Sequence, residues 1–326
     1  MTASPEEEQT KQSPGRADER TSELASEQSA EHMSEHASGH EPEQQGKPLR
    51  ERRPRQAAAQ RAGQAPERRP RPPGILAIGP VERAILAIRS AVFWVWQIIV
   101  TLVLGGPVII GSLISFNIGM PLALTWIRAN MYGLRVICGV RWEVDGEENI
   151  PAKPCVVMSK HQSTWETYFL AMLFVPPVYV AKRSLLWIPI FGWAIGALRF
   201  IMIDRKSGRS AVAQMVEQAR DRLDKKRWVV IFPEGTRQAV DAVPNYRIGG
   251  AIVAARTGYD ILPIATNSGE FWPRLGFIKY PGTITVSIRP PIKADGREPA
   301  ALLAATQASI EARMAEIRGR GPGARP

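Results

Sequence analysis

Histidine is scarce in this chain of 326 residues, which contains only four. Three of them, His32, His36 and His40, lie in a polar stretch rich in Ser and Glu. They could bind a metal only if that stretch were helical, and a solvated run is the favoured interpretation. His161 is then the only imidazole in the part that is expected to fold. If the protein transfers protons near neutral pH with a histidine, His161 is the candidate.

Cysteine is scarcer still, with Cys138 and Cys155 the only two. They provide neither a disulfide framework nor a set of metal ligands, and buried reduced thiols in a cytosolic compartment are the ordinary interpretation. The chain also lacks an internal repeat and a glycine-rich nucleotide fingerprint, so nothing in it indicates a nucleotide site.

Aliphatic residues are nearly absent from residues 1–73. Such a composition cannot bury enough apolar surface to offset the entropy of ordering, so we expect a disordered charged tail. Its first part, 1–46, is acidic and its second part, 47–73, is basic, which leaves the tail nearly neutral. The net charge of +11 therefore belongs to the remainder of the chain. This charge suits an anionic partner, either nucleic acid or a membrane surface.

Charged residues are missing altogether between Arg89 and Arg128. Uncharged runs of this length are rare in soluble proteins, which favours membrane phospholipid as the partner and argues against nucleic acid. As one helix the run would extend roughly 55 Å, whereas the hydrocarbon core of a bilayer is about 30 Å thick. We therefore predict a membrane-associated helical segment over residues 74–135, folded as a hairpin that breaks at Gly105-Gly106-Pro107.

Arginines flank the apolar run on both sides, which predicts that both of its ends are cytoplasmic. The hairpin would then dip into one leaflet or cross as a shallow pair of helices. Trp94, Trp96 and Trp126 suit interfacial anchors, although aromatic residues are also ordinary core residues. A buried hairpin of a soluble protein is the alternative.

Short apolar runs alternate with amphipathic stretches from about Arg141 onward. This alternation predicts an α/β domain over residues 136–318, with a mixed sheet flanked by helices, and a disordered end over 319–326. Helices are predicted over Ser207–Lys226 and Pro299–Arg318. The predicted strands are Pro154–Ser159, Val178–Ala181, Arg199–Asp204, Trp228–Phe232, Ile261–Thr266 and Thr283–Arg289.

The string His161-Gln-Ser-Thr-Trp-Glu166 follows the first of these strands. Side chains at the carboxyl end of a strand in an open α/β sheet face the crevice where ligands bind. Glu166 has two interpretations: it completes a capping box with Ser163, or it accepts a hydrogen bond from the His161 ring and stabilises the imidazolium. Both can hold at once, because a carboxylate has several lone pairs.

The string Phe232-Pro-Glu-Gly-Thr-Arg237 follows the strand WVVIF and should lie at the same edge of the sheet. As a local sequence it is only a turn. The planar guanidinium of Arg237 suits bidentate binding of phosphate, and Gly235 lets a ligand approach the backbone. Together the two strings therefore predict a catalytic site that binds a phosphate-bearing substrate.

These motifs resemble those of the lysophospholipid (glycerolphosphate) acyltransferase family, in particular the bacterial lysophosphatidic acid acyltransferases. HQSTWE is similar to the family pattern of a histidine, four residues and an acid, in which the family usually has Asp at the position of Glu166. FPEGTR matches unchanged, while Gly196–Arg205 and Ile261–Gly269 resemble two further family blocks. The segment Ala181–Trp193 resembles the stretch that carries a phosphate-contacting lysine, here Lys182.

The resemblance implies acyl transfer from acyl-CoA or acyl carrier protein to the free hydroxyl of 1-acylglycerol 3-phosphate (lysophosphatidate). The product would be phosphatidate, made for phospholipid biosynthesis at the cytoplasmic face of a bacterial inner membrane. His161 would act as the general base and Glu166 would hold its ring. The substrate-binding residues would be Lys182, Arg199, Glu234, Gly235, Thr236 and Arg237. No metal ion is implied, and no cofactor apart from the acyl thioester as co-substrate.

Two alternatives remain open. The same fold could acylate another lysolipid, such as lyso-ornithine lipid. The chain could also be a membrane-tethered interaction protein with an inactive domain, in which the charged tail carries the function.

Overall fold

The structure, a computed structural model, describes residues 78–204, 207–319 and 321. The predicted tail of residues 1–73 lies outside this part, as does most of the predicted disordered end. Two long helices, α1 (Pro80–Ile114) and α2 (Phe116–Cys138), come first and lead into a seven-stranded sheet with helices on both faces. The predicted fold class, a mixed sheet flanked by helices and preceded by a helical hairpin, is confirmed.

The sheet has the strand order β1-β7-β6-β2-β5-β3-β4. Strands β6, β2, β5, β3 and β4 are parallel, and β7 is antiparallel to β6. The strands are β1 (Val140–Asp145), β2 (Val156–Ser159), β3 (Pro177–Lys182), β4 (Ile201–Ile203), β5 (Trp228–Ile231), β6 (Ile261–Thr266) and β7 (Gly282–Ile288). The remaining helices are α3 (Trp165–Leu173), α4 (Phe191–Ala197), α5 (Gly208–Asp224), α6 (Gly249–Thr257) and α7 (Pro299–Ile317).

All six predicted strands overlap observed ones, and the prediction misses only β1. Its sequence, VRWEVD, mixes apolar and charged residues because β1 lies at the edge of the sheet, where one side is less covered. The sheet buries its two faces separately. On one face Val157 and Val230 pack with α3 and the hairpin, and on the other Val156 and Val229 pack with α5 and α6.

The two helices of the hairpin pack antiparallel through hydrogen bonds from tryptophan side chains. Trp96 Nε1 donates to the Ala129 carbonyl at 3.1 Å, and Trp126 Nε1 donates to Thr101 Oγ1 at 3.0 Å. The third tryptophan of this segment, Trp94, meets the Trp272 ring edge-on. All three therefore pack within the protein, which supports the core interpretation that the sequence left open.

The predicted break at Gly105-Gly106-Pro107 is wrong, because α1 continues through Pro107 to Ile114. The chain reverses at Ser115 instead, which has an extended backbone (φ −159°, ψ 139°). Its hydroxyl oxygen accepts a hydrogen bond from the Asn117 N–H and so caps α2, a role for which serine is well suited.

The glycines of α1 are positions of close packing. A Cβ atom at Gly105 would lie 2.6 Å from Cγ2 of Ile190, and one at Gly111 would lie 2.9 Å from Cδ1 of Leu122. The Gly105-Gly106-Pro107 sequence is thus typical of a helix break, but here it lies within an uninterrupted helix, and Gly105 allows a neighbouring side chain to pack closely against it. Pro107 removes one backbone donor without ending it.

Among the described helices, α1 is the one that is long and apolar enough to cross a membrane, and only 28% of its most apolar window is buried. The side of α1 that faces away from the sheet is a continuous row of aliphatic side chains, which includes Ile88, Val92, Val95, Ile99, Leu102, Val103 and Ile110. An apolar surface of this extent indicates membrane association.

The opposite side of the hairpin is covered by the globular part along most of its length. The Phe93 ring meets the Trp272 ring edge-on, and Gln97 Nε2 donates a hydrogen bond to the Tyr168 hydroxyl at 2.8 Å. The guanidinium carbon of Arg227 lies 3.8 Å from the centre of the Phe116 ring. The hairpin therefore lies against the domain and does not project from it. The division into segments 74–135 and 136–318 stays a prediction, since the hydrophobic core is continuous across it.

Candidate active site

The two sequence strings meet at the carboxyl edge of the parallel strands. His161 follows β2 and Phe232 follows β5, and these strands are neighbours in the sheet. The Gln238 N–H donates to the His161 carbonyl oxygen at 2.8 Å, which ties the two loops together through their backbones. The parallel sheet thus brings together residues that are seventy positions apart in the chain.

His161 and Glu166 form a hydrogen-bonded pair, with 2.9 Å between Nδ1 and Oε1. The same Oε1 accepts hydrogen bonds from the backbone N–H groups of Gln162 and Ser163, each at 2.7 Å. Oε2 accepts a further bond from the Ser268 hydroxyl at 2.7 Å. One carboxylate therefore contacts the imidazole and accepts from the backbone at the start of α3. Only this half of the predicted capping box is present, because Ser163 Oγ accepts from the Trp165 N–H and not from that of Glu166.

The His161 ring is fixed on its other side by Phe232. The two rings stack with centroids 3.8 Å apart and planes 12° from parallel. In the neutral tautomer whose Nδ1–H donates to Glu166, the second nitrogen, Nε2, carries the lone pair. The side chain keeps 15% of its surface exposed, so the arrangement presents a held imidazole that can accept a proton from a bound substrate.

Glu234 points into the protein. Its Oε2 accepts a hydrogen bond from the His161 backbone N–H at 3.2 Å, and its Oε1 lies 3.2 Å from Nζ of Lys160. Burial raises the pKa of Glu234 to about 7, although Lys160 acts in the opposite direction. With its carboxylate engaged inside, Glu234 would shape a substrate pocket through its loop.

Lys160 is the functional candidate that the sequence prediction missed. It is buried, and its ammonium group donates to Glu311 Oε1 of α7 at 2.7 Å in addition to meeting Glu234. The Tyr246 hydroxyl donates to the same Glu311 oxygen at 3.0 Å. We refer to Lys160, Glu234 and Glu311 as the ion cluster. The sequence contains one indication of this residue: Lys160 is a charged residue at the end of an otherwise apolar run, directly before His161.

Arg237 lies on the His161 side of the loop, where its Nη1 donates to Thr164 Oγ1 at 2.7 Å. Thr164 immediately precedes α3, so the guanidinium is held at the start of that helix. The neighbouring Thr236 is exposed, and Gly235 has a positive φ of 72°, a conformation that favours glycine. These three residues form the open rim of the loop.

Lys182 and Arg199 occupy different parts of the sheet. Lys182 is the exposed last residue of β3, at the same edge as His161. Arg199 precedes β4, and its carbonyl oxygen accepts a hydrogen bond from Arg222, near Arg227 and the beginning of β5. Arg199 lies before the amino end of β4, whereas His161 follows the carboxyl end of the parallel strand β2. Its role in substrate binding stays a prediction that this position does not favour.

Comparisons with known proteins find similar sequences over the part of the chain that contains this site. A family model described as acyltransferase matches residues 141–267, which contain both loops. The chain is 47% identical over 195 residues to the 1-acyl-sn-glycerol-3-phosphate acyltransferase of Pseudomonas aeruginosa, and the match covers 59% of this chain and 76% of that protein. It is 32% identical over 179 residues to the alpha form of the same enzyme from Mus musculus, with 53% of this chain and 62% of that one covered.

A solved structure has the same fold. The crystal structure of the 1-acyl-sn-glycerophosphate (LPA) acyltransferase PlsC from Thermotoga maritima superposes with a TM-score of 0.60, covering 72% of this chain and 98% of that one. At 20% sequence identity this likeness supports the fold alone. The identity to the Pseudomonas aeruginosa protein, over three quarters of its length, shows the family. The chain belongs to the PlsC-type acyltransferase family.

Proposed function

We propose that the protein transfers an acyl chain from an acyl thioester to the free hydroxyl of 1-acylglycerol 3-phosphate and so forms phosphatidate. The observation that carries this proposal is the hydrogen-bonded His161–Glu166 pair, tied by backbone to the FPEGTR loop at one edge of the sheet. The names of the relatives, which are acyltransferases acting on this acceptor, support the choice of substrate.

His161 acts as the general base. Its Nε2 removes the proton of the acceptor hydroxyl as that oxygen attacks the thioester carbonyl. The tetrahedral intermediate then expels the thiolate, which receives the proton back from Nε2. Glu166, 2.9 Å from Nδ1, stabilises the imidazolium that exists between these two transfers. The acyl group passes directly to the acceptor, so no covalent acyl-enzyme is required.

The acceptor phosphate binds to basic groups at the same edge. Arg237 is held beside α3 by Thr164 and can offer its remaining guanidinium donors in a bidentate arrangement. Lys182 supplies a second positive charge from the end of β3. Gly235 and Thr236 complete the rim. Glu234 fixes their loop by accepting a hydrogen bond from the His161 backbone N–H.

An apolar cavity suits the hydrocarbon part of a substrate. It has a volume of about 110 Å³ and lies between the hairpin, α3 and α4. Thr167, one residue after Glu166, lines it, as do Val108, Met120, Tyr179 and Leu198. An acyl chain held there would keep its carbonyl end near the catalytic pair.

The hairpin holds the site at the membrane surface. Its inner side is covered by the domain, which supports a hairpin that dips into one leaflet over one that crosses the bilayer. The arginines on both flanks support attachment to the cytoplasmic face of a bacterial inner membrane. Acceptor and product are both membrane lipids, and the site then receives them by lateral diffusion within the leaflet.

The test uses membranes that contain the wild-type chain or the His161→Ala variant, with lysophosphatidate and a labelled acyl thioester. Acyl-CoA and the acyl thioester of acyl carrier protein are supplied in separate reactions, and lyso-ornithine lipid serves as the competing acceptor. We expect phosphatidate from the wild type and a loss of about 10²–10⁴-fold in the variant. Preference for lyso-ornithine lipid would replace the proposed acceptor. Activity that survives His161→Ala would remove His161 from the mechanism.

A further inference from the structure

A second apolar surface lies outside the hairpin, in the segment Trp187–Trp193 between β3 and β4. Trp187 is 86% exposed and Trp193 is 57% exposed, and Ile188 and Phe191 also face outward. Scattered apolar residues are normal on protein surfaces, whereas four large ones within seven residues form a contiguous patch. Such a patch indicates a partner that removes it from water.

This segment is wedged against α1. The Phe191 N–H donates to the Pro189 carbonyl at 2.7 Å, which closes a γ-turn centred on Ile190. Ile190 has φ 63° and ψ −63°, a strained conformation for a β-branched residue. Its side chain packs at Gly105, where a Cβ atom would come within 2.6 Å. The segment is therefore packed against α1, the helix whose other side carries the exposed aliphatic row.

The same segment forms a wall of the apolar cavity. Ile190 and Phe191 line it together with Gly105 of α1. Phe191 also keeps 41% of its surface exposed to the outside. At this point one layer of side chains separates the cavity from the surroundings of the protein.

Basic residues precede the patch. Lys182 and Arg183 are exposed, and they lie at the start of the helical turn Arg183–Trp187. Positive charge next to exposed tryptophan is the arrangement that suits a bilayer interface, where cations meet lipid phosphates and aromatic rings sit just below them. A soluble protein partner would not require this order of charge and apolar surface along the segment.

We propose that the Trp187–Trp193 segment is a second lipid-contacting element, inserted in the bilayer beside α1, where acyl chains exchange between the bilayer and the cavity past Phe191. The proposal rests on the proposed membrane attachment of the hairpin. It adds a docking surface that the apolar run of residues 90–127 does not contain.

Site-specific fluorescence tests the insertion. The full chain has two cysteines, both buried, and burial raises the pKa of Cys155 to about 12, so a polar thiol reagent labels an introduced cysteine selectively. Trp187→Cys and Trp193→Cys carry an environment-sensitive probe. Ile99→Cys on exposed α1 is the positive control, and Gln214→Cys, exposed on α5 across the sheet, is the negative control. The variants are bound to phosphatidylcholine vesicles containing some phosphatidylglycerol, with or without nitroxide-labelled lipid.

We expect the nitroxide to quench probes at positions 99, 187 and 193 several-fold more than the probe at position 214. Quenching at position 99 without quenching at 187 and 193 would overturn the second element while leaving the hairpin attachment intact. No quenching at position 99 would instead remove the membrane attachment on which both rest. Self-quenching at 187 that grows with the protein-to-lipid ratio in unlabelled vesicles would assign the patch to a second copy of the chain.

A functional measurement addresses acyl exchange. The double variant Trp187→Ser/Trp193→Ser is assayed with long-chain lysophosphatidate in vesicles and with a short-chain, water-soluble analogue. We expect its rate to fall several-fold with the vesicle substrate and to stay near the wild-type rate with the soluble one. An equal loss on both substrates would contradict a role in lipid exchange.

Discussion

The two loops of the site each contain one buried glutamate, and the surroundings of these two carboxylates differ. Glu166 accepts four hydrogen bonds, from the His161 ring, two backbone N–H groups and the Ser268 hydroxyl. Glu234 meets one backbone N–H and the ammonium group of Lys160. Both are almost completely excluded from solvent. The number and type of donors, rather than burial, separates them.

This difference assigns them different roles. Glu166 lies 2.9 Å from the ring nitrogen, at the position where a carboxylate would stabilise the proposed imidazolium intermediate. Glu234 has fewer donors, and burial raises its pKa to about 7. It connects the backbone at His161 to Lys160 and, through the ion cluster, to α7. In the proposed mechanism Glu166 therefore serves the chemistry, while Glu234 connects the loop of residues 232–237 to the backbone at His161.

The sharpest test of this comparison replaces each glutamate by its uncharged isostere. Glu166→Gln should lower kcat by about 10²–10³-fold, because the imidazolium loses its charged partner while the backbone bonds can persist. Glu234→Gln should lower kcat less than tenfold, since its charge does not face the substrate. Steady-state kinetics on membranes measure both. Equal losses of kcat in folded variants would remove the distinction between the two residues.

Lys160→Met tests the structural side of the comparison. It leaves Glu234 buried without its cation, and breaking a buried pair in this way costs about 3–5 kcal/mol of unfolding free energy. Thermal unfolding in detergent measures the loss. The double variant Lys160→Met/Glu234→Gln should recover a large part of it, because the stranded charge is gone. Lys225→Met, which removes an exposed ion pair with Asp221, is the matched control and should change little.

The raised pKa of Glu234 predicts a pH dependence of stability. Between its usual value of 4.5 and about 7 the folded state binds more protons at this group than the unfolded state does. The free energy of unfolding should therefore fall as the pH rises through that window, by at most about 3 kcal/mol from this group. The contribution is constant above the window.

Unfolding midpoints of wild type and Glu234→Gln, measured from pH 4.5 to 8, isolate this effect. The difference between the two proteins should favour the wild type most at the acidic end. Parallel pH profiles would show that Glu234 does not titrate in this window.

Local patterns were enough to predict much of this protein. The six predicted strands, the hairpin and the contact of His161 with Glu166 follow from residue periodicity and from neighbours a few positions apart. The continuation of α1 past Gly105 was not predictable in this way, because Gly105 packs against Ile190, which lies 85 positions away in sequence. No local rule distinguishes a glycine that breaks a helix from one that admits a neighbour.

The missed parts of the site have the same cause. Lys160 is hydrogen-bonded to Glu311, which is 151 residues away in sequence, and Ser268 is hydrogen-bonded to Glu166, which is 102 residues away. The strand predicted to begin at Arg199 begins two residues later, at Ile201, and a role of Arg199 in substrate binding stays a prediction. Each of these depends on which elements the sheet places side by side, and the strand order was not predictable from the runs themselves.

The smallest expected effect concerns Ser268, which donates one of the four hydrogen bonds to Glu166, at 2.7 Å. Ser268→Ala removes this bond, and a hydrogen bond of this kind contributes about 1–3 kcal/mol. The three remaining hydrogen bonds still hold Glu166 in part. We therefore expect a few-fold lower kcat with an unchanged KM. The matched control is Thr266→Val at the end of β6, whose buried hydroxyl oxygen has no hydrogen-bond partner among the described residues. That isosteric change should leave kcat as it is. If Ser268→Ala lowers the unfolding midpoint and leaves kcat unchanged, Ser268 only supports the fold, and the backbone bonds alone position Glu166. A lower kcat at an unchanged midpoint would show instead that the rate depends on how firmly Glu166 is held against His161.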